Sequence, residues 1–272
     1  MPTRAPNLEP GTQNPELGTQ NQEPRGRPLL KWAGGKRQLL PVIRPLYPLH
    51  FTRYIEPFFG SGAVFFDLHA RGLLHGREAR LVDANPDLVG CYRMLRDRTT
   101  EVIAALARLA DEHRAGGEAH FYDVRDRRFN PARAGAGAEY TPGLAAMLIY
   151  LNRTGFNGLF RLNRRGEFNV PAGRYVNPKI CDAVHLHTVA EALRQDGVSI
   201  ELGSFERSIA EAGRGDFVYC DPPYEPLSRT SSFASYTAHG FTAADQERLQ
   251  KAVVAAPAGG AHGGGADSVG PL

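Results

Sequence analysis

Asp221-Pro222-Pro223-Tyr224 follows the apolar run Phe217-Val218-Tyr219-Cys220, which reads as a buried strand. A carboxylate, a proline carbonyl with no matching N–H nearby and a flat ring at a strand end form a small, stiff site. Those groups suit an exocyclic amino group on a planar ring. A second constellation lies near the start of the chain. Gly60-x-Gly62 follows the short strand Tyr54-Ile55-Glu56, and Asp83 stands 21 residues beyond Gly62 at the tip of a further strand, 79–82. That is the spacing at which an acid reaches a ribose diol, although the third glycine of the dinucleotide fingerprint is missing. An ordinary strand–turn–helix with a surface acid stays open at this level. Lys31-Trp32-Ala33-Gly34-Gly35-Lys36 adds two cations, a large ring and a glycine pair. It is either a helix start with a half-buried tryptophan or a segment whose backbone approaches a ligand while Trp32 packs on it.

The elements needed to position these groups are strand, glycine turn, helix and strand with an acid at its tip, the opening of an open α/β sheet. A helix is expected over 63–70, helical spacing runs from Leu88 to Ala110, and 111–140 is polar and small with Arg128-Phe129-Asn130 as a fixed point. Helices are predicted again at 142–150 and 183–193, and strands at 198–202 and 217–220. Between them, glycines 155, 158, 166 and 173 punctuate a polar-aromatic stretch that suggests a hairpin or loop-rich lobe. Residues 151–179 hold five arginines and one lysine against the single acid Glu167, a surplus larger than the +3 of the whole chain. This is a candidate surface for a polyanion.

Three scattered cysteines, Cys91, Cys181 and Cys220, indicate neither a disulfide framework nor a metal knuckle, and no metal is expected. No stretch approaches 18 apolar residues and the start lacks a signal pattern, so no membrane partner and a cytoplasmic location are expected. The chain divides into a disordered tail (1–27), a first part of a catalytic domain (28–110), an inserted target-recognition domain (111–182), a second catalytic part (183–254) and a Gly/Ala-rich tail (255–272). Nothing in 255–272 resembles a strand. The expectation is therefore a sheet lacking its C-terminal strands, with the 217–220 strand left uncovered.

KWAGGK at 31–36, EPFFGSG at 56–62, VDAN at 82–85, RFN at 128–130, LNRTGFNGLFRLNRRGEFNVPAGRY at 151–175, CDPPYEPLS at 220–228 and SFASYTAHGF at 232–241 resemble the Dam family of DNA adenine-N6 methyltransferases, in the alpha-group order. The resemblance spans roughly residues 29–250. It implies a Rossmann-like, S-adenosylmethionine-dependent sheet with an inserted helical and hairpin recognition domain. The implied substrate is double-stranded DNA, methylated at adenine N6 within GATC, and the implied enzyme is a monomer. By that resemblance the cofactor would be held by Trp32, Gly34, Lys36, Glu56, Phe58, Gly60, Gly62, Asp83, Phe205 and Asp221. Asp221, Pro222, Pro223 and Tyr224 would act on the extruded base. Lys31, Phe156, Asn157, Leu159, Arg161, Asn163, Arg174 and Tyr175 would meet DNA, with Arg161 reading a guanine, Phe156 as a wedge, and Arg174 and Lys36 on phosphates.

Two other readings stay open on the sequence. DPPY-like motifs also serve enzymes that methylate glutamine side chains or RNA bases, but the 159 residues between Gly62 and Asp221, with an arginine-rich hairpin inside, favour DNA. An inactive S-adenosylmethionine- or DNA-binding remnant would follow from the missing strands.

Overall fold

Parallel strands need long crossover connections, and the chain supplies them. The structure, a computed structural model, describes residues 26–32, 35–135, 139–223 and 241–256. Among these, β1 (Arg53–Glu56), β2 (Glu78–Asp83), β3 (Val198–Leu202) and β4 (Phe217–Val218) form a parallel sheet in the order β3-β2-β1-β4. Ile55 pairs with Arg80 on one side and with Val218 on the other, and the Tyr219 N–H donates to the Ile55 carbonyl at 2.9 Å. The chain moves outward from β1 through β2 to β3, then returns to place β4 on β1's other flank. The order reverses between β1 and β4, so a crevice opens at their carboxyl ends.

The helices are α1 (Leu40–Ile43), α2 (Ala63–Ala70), α3 (Pro86–Asp97), α4 (Thr99–Asp123), α5 (Asn130–Gly135), α6 (Pro142–Thr154), α7 (Ala183–Arg194), α8 (Phe205–Ala210) and α9 (Ala243–Ala255). One sheet face carries Tyr54, Ala79, Leu81, Ile200 and Phe217 into a core shared with α3, α4, α6 and α7. The other face carries Ile55 and Val218 against Phe205, Ile209 and Ala212, with Phe241, Leu249 and Ala252 packed outside them. Val218 is 4% exposed. The strand face expected to be uncovered is thus closed by α8 and α9, while β4 is, as expected, the last strand of the sheet among the described residues. Thr242 caps α9 in a reciprocal box with Asp245, which fixes where this cover begins.

Two readings of the middle are corrected. The helical spacing from 88 to 110 is two helices, broken at Arg98 (φ −129°, ψ 40°), where the Thr99 hydroxyl donates to the Leu95 carbonyl at 2.6 Å. Residues 111–135 are helical throughout. α4 continues to Asp123 with a break at Gly117 (φ 53°, ψ −131°), then a π turn over Val124–Phe129 leads into α5. The π turn explains the missed pattern. Buried Phe121, Val124 and Phe129 lie three and five apart, so the wider turn brings Phe129 back to the face that a 3.6-residue repeat would leave. The boundary drawn at 110/111 falls inside α4, and the insertion's Phe121, Phe129, Tyr150 and Phe168 join the same core as the sheet.

Candidate functional site at the carboxyl edge of the sheet

The β1 end turns sharply into α2. Gly60 (φ 48°) and Gly62 (φ 66°) adopt left-handed backbone, and a Cβ on Gly62 would lie 2.5 Å from the Phe59 ring. The turn is tied from two sides. Asp83, at the β2 tip, accepts from the Gly60 N–H at 2.9 Å and from the Asn85 N–H at 2.8 Å. The buried Tyr92 hydroxyl donates to the Ser61 carbonyl at 3.1 Å. Asn85 in turn caps α3 through the Asp87 N–H at 2.9 Å. Glu56 is buried and accepts from the Tyr54 hydroxyl at 2.8 Å. Burial pushes its carboxyl well above the usual range, with the neighbouring Asp221 and Asp83 charges adding to the rise.

Trp32 lies over this turn. A Cβ on Gly60 would come 3.2 Å from its ring, and its indole stacks on Phe160 at 5.6 Å and 27°. Phe58 stacks on Phe205 at 5.1 Å and 25°, with Phe241 edge-on to Phe58 at 5.8 Å. Asp221 follows β4 into the same crevice, where its Oδ1 accepts from the Lys36 ammonium at 2.5 Å. Burial raises the Asp221 pKa and the Lys36 charge opposes that rise. Lys36 is 8% exposed, which does not fit the expected phosphate contact; its ammonium is turned inward to the carboxylate. Pro222 and Pro223 continue half-buried from Asp221, while Gly34 and Tyr224 lie outside the described residues. Among the described residues no group of three His, Cys, Asp or Glu side chains could hold a metal ion.

The hairpin stretch stands beside Trp32. Its backbone meets in antiparallel bridges at Gly155–Ala172 and Leu162–Phe168. Asn152 joins it to the N-terminal segment: its Oδ1 accepts from the Lys31 N–H at 2.9 Å and its Nδ2 donates to the Lys31 and Gly158 carbonyls at 2.7 Å each. The Lys31 ammonium then lies 4.6 Å from the centre of the Tyr175 ring. Phe156 is 49% exposed, Asn157 is exposed in a left-handed conformation (φ 53°), and Arg174 and Tyr175 are exposed. Leu159 is half-buried against the core. Arg161 is held by Asn169, and Asn163 is occupied within its own turn, accepting from the Arg165 and Glu167 N–H groups at 2.9 and 3.0 Å. That turn leaves Arg164 and Arg165 exposed at the tip.

The insertion helices grip the returning strand of the hairpin by its backbone. Asn130 donates to the Phe168 carbonyl at 3.0 Å and accepts from the Phe168 N–H at 2.8 Å. Arg125 donates to the Val170 carbonyl at 2.9 Å, and Arg133 donates both to the Gly166 carbonyl and to Asp87, the latter at 2.7 Å. Of these supports Asn130, in the RFN triplet, and Asn152 and Asn169, in the 151–175 stretch, fell within segments that the sequence singled out, though without this role. Tyr92, Arg125 and Arg133 had no such signal.

A parallel sheet with helices on both faces, an acid at the second strand's tip and a DPPY-bearing strand at the switch point define an S-adenosylmethionine-dependent methyltransferase. The chain belongs to the D12 class N6 adenine-specific DNA methyltransferase family, which it matches over residues 32–255. It is 42% identical over 224 residues to the type II methyltransferase M1.LlaDCHI of Lactococcus lactis subsp. cremoris, covering 82% of this chain and 75% of that protein. Similarity to the type II methyltransferase M.MjaIII of Methanocaldococcus jannaschii is 41% over 234 residues, 83% and 78% of the two chains. A DNA adenine methylase of Escherichia coli is 37% identical over 226 residues, covering 83% and 74%. The chain is a DNA-binding, site-specific adenine-N6 methyltransferase. Among the described residues no helix is long and apolar enough to cross a membrane.

Proposed function

We propose that the chain methylates adenine within GATC in double-stranded DNA, with Asp221 and Pro222 holding the amino group that reacts. The observation that carries this reading is the meeting of Asp221 with the Glu56–Gly62 turn where the strand order reverses, beside a basic hairpin packed on the same core.

The residues present fit the cofactor. Asp83 is held by backbone N–H groups, including those of Gly60 and Asn85, and as a carboxylate has acceptor capacity beyond them that suits a ribose hydroxyl. The Phe58–Phe205 stack supplies flat apolar faces for a nucleobase. When bound, S-adenosylmethionine supplies a methyl group already activated on a sulfonium. The chain's task is then to make adenine N6 a competent nucleophile. Among the described residues Asp221 Oδ2 has no protein partner, while Oδ1 holds Lys36. Asp221 Oδ2 and the Pro222 carbonyl accept the two N6 hydrogens, draw the nitrogen lone pair out of conjugation and stabilise the positive charge that develops on N6. As N6 takes up the methyl group, one of its protons would leave to water from the side of Asp221, which would hold the developing charge until then. Adenine stacked in a duplex cannot reach this crevice, so the base is extruded.

On the DNA side, Arg161, Leu159, Tyr175 and Lys31 are assigned to base edges and Phe156 to a wedge in the duplex. Asn157 and Asn163 are assigned to the DNA face beside them, and Arg174 to phosphate. The exposure of Phe156, Arg174 and Tyr175 on the hairpin supports this arrangement. Action as a monomer in the cytoplasm is part of the same proposal. The test is methyl transfer to duplexes carrying GATC or one altered base pair, with kcat/KM falling by about 1–3 kcal/mol equivalent for each altered pair. Equal transfer to GATC and altered duplexes contradicts the assigned target.

A further inference from the structure

Residues 160 and 161 point to opposite sides of the hairpin. Phe160 is buried under Trp32 and against Phe168, whereas Arg161 is half-buried on the outer face. The same alternation on the returning strand buries Phe168 and Val170 and leaves Asn169 between them, opposite Arg161. The two residues are joined three times. The Asn169 N–H donates to the Arg161 carbonyl at 3.1 Å. The Arg161 Nε donates to Asn169 Oδ1 at 2.8 Å, and its Nη2 donates to the Asn169 carbonyl at 3.2 Å. A guanidinium has two edges able to make paired bonds, the side edge (Nε with Nη2) and the end edge (Nη1 with Nη2). Here Asn169 takes the side edge. Among the described residues the Nη1 group has no protein acceptor, so the end edge remains for a ligand.

We propose that Asn169 is a specificity-determining positioning residue, which fixes the Arg161 guanidinium so that its end edge meets guanine O6 and N7. The inference rests on the reading of Arg161 as the guanine reader. The support beneath Asn169 is itself rigid. Asn130 pins both backbone groups of Phe168 on one side of it, and Arg125 pins the Val170 carbonyl on the other. A long arginine left free would lose rotamer entropy on meeting each guanine, and could meet a wrong base with another edge. A guanidinium held by one edge has lost that freedom before DNA arrives, so discrimination at one base position depends on a residue that touches no base.

The experiment uses the full chain and measures kcat/KM on GATC duplexes, on duplexes altered at the guanine, and on duplexes altered at another position. Arg161→Ala, Asn169→Ala, Asn169→Asp and the Arg161→Ala/Asn169→Ala double variant are compared. Asn169→Ala is expected to cut discrimination at the guanine at least about fivefold, the lower end for one bidentate base contact, and to leave discrimination elsewhere unchanged. Asn169→Asp, which keeps the acceptor facing Nε, is expected to restore it and also serves if the alanine variant does not fold. The double variant is expected to lose no more than Arg161→Ala alone. If Arg161→Ala keeps guanine discrimination, the underlying reading of Arg161 fails. If Arg161→Ala loses it while Asn169→Ala keeps it, or the two losses add, or Asn169→Ala lowers turnover equally on every duplex, the positioning role is overturned.

Discussion

Asp221 and Lys36 sit 2.5 Å apart inside a crevice that also holds Glu56, and their balance of charge sets what the site can do. Burial makes the ionised form of Asp221 costly, and the Lys36 cation offsets part of that cost. The proposed chemistry needs Asp221 ionised, because a protonated carboxyl would donate where it must accept. Activity is therefore lost as pH falls through the Asp221 pKa, and any change that raises that pKa moves the loss to higher pH. Lys36→Met leaves desolvation unopposed, so the acid limb of the kcat profile is expected to shift upward, with the larger deficit in mildly acidic buffer and a smaller one in alkaline buffer. A profile of unchanged shape would remove Lys36 as the charge partner of Asp221 in the working enzyme.

The hairpin has too little ladder of its own to hold a shape, since its strands meet at only a few bridges among the described residues. Its geometry is set by α5 and the π turn before it. Asn130→Ala leaves both backbone groups of Phe168 without their partner and is expected to cost about 1–3 kcal/mol of stability, read by chemical denaturation. Duplex affinity should weaken in the same variant, while cofactor binding at the turn between β1 and α2 is retained. Equal stability of the variant and the parent would show that the hairpin holds itself. The same elements show where sequence reading succeeds and where it stops. The strand at 198–202 and the glycine turn at Gly60 and Gly62 were legible because period, turn residues and tip acid all lie within one short stretch. The helical course of 111–135 was not, because Gly117 breaks the repeat and the π turn changes its phase. The supporting roles of Asn130, Asn152 and Asn169 were not legible, for another reason. An uncharged amide carries no pattern, and Asn130 acts on a residue 38 positions away while Asn152 acts on one 121 away.

At the scale of the whole molecule, the site exists because the chain leaves the sheet after β2, builds the insertion, adds β3 beside β2, and then returns to β1 with β4. The two halves of the crevice come from segments 159 residues apart, Gly62 and Asp221, yet their strands are hydrogen-bonded neighbours. α8 and α9 close the face beneath β1 and β4, so the strand carrying Asp221 is supported on both sides by apolar packing. That support holds the strand leading to Asp221, the residue on which the proposed chemistry turns. The most direct test incubates the 272-residue chain and its Asp221→Ala variant with S-adenosylmethionine and an unmethylated GATC duplex, and identifies the modified nucleoside by mass spectrometry. The parent is expected to yield N6-methyladenine, with the variant slower by at least about a hundredfold, the cost of removing one preorganised group at the reacting atom. Comparable turnover by the variant, or a methyl group found on any base other than adenine, would contradict the account.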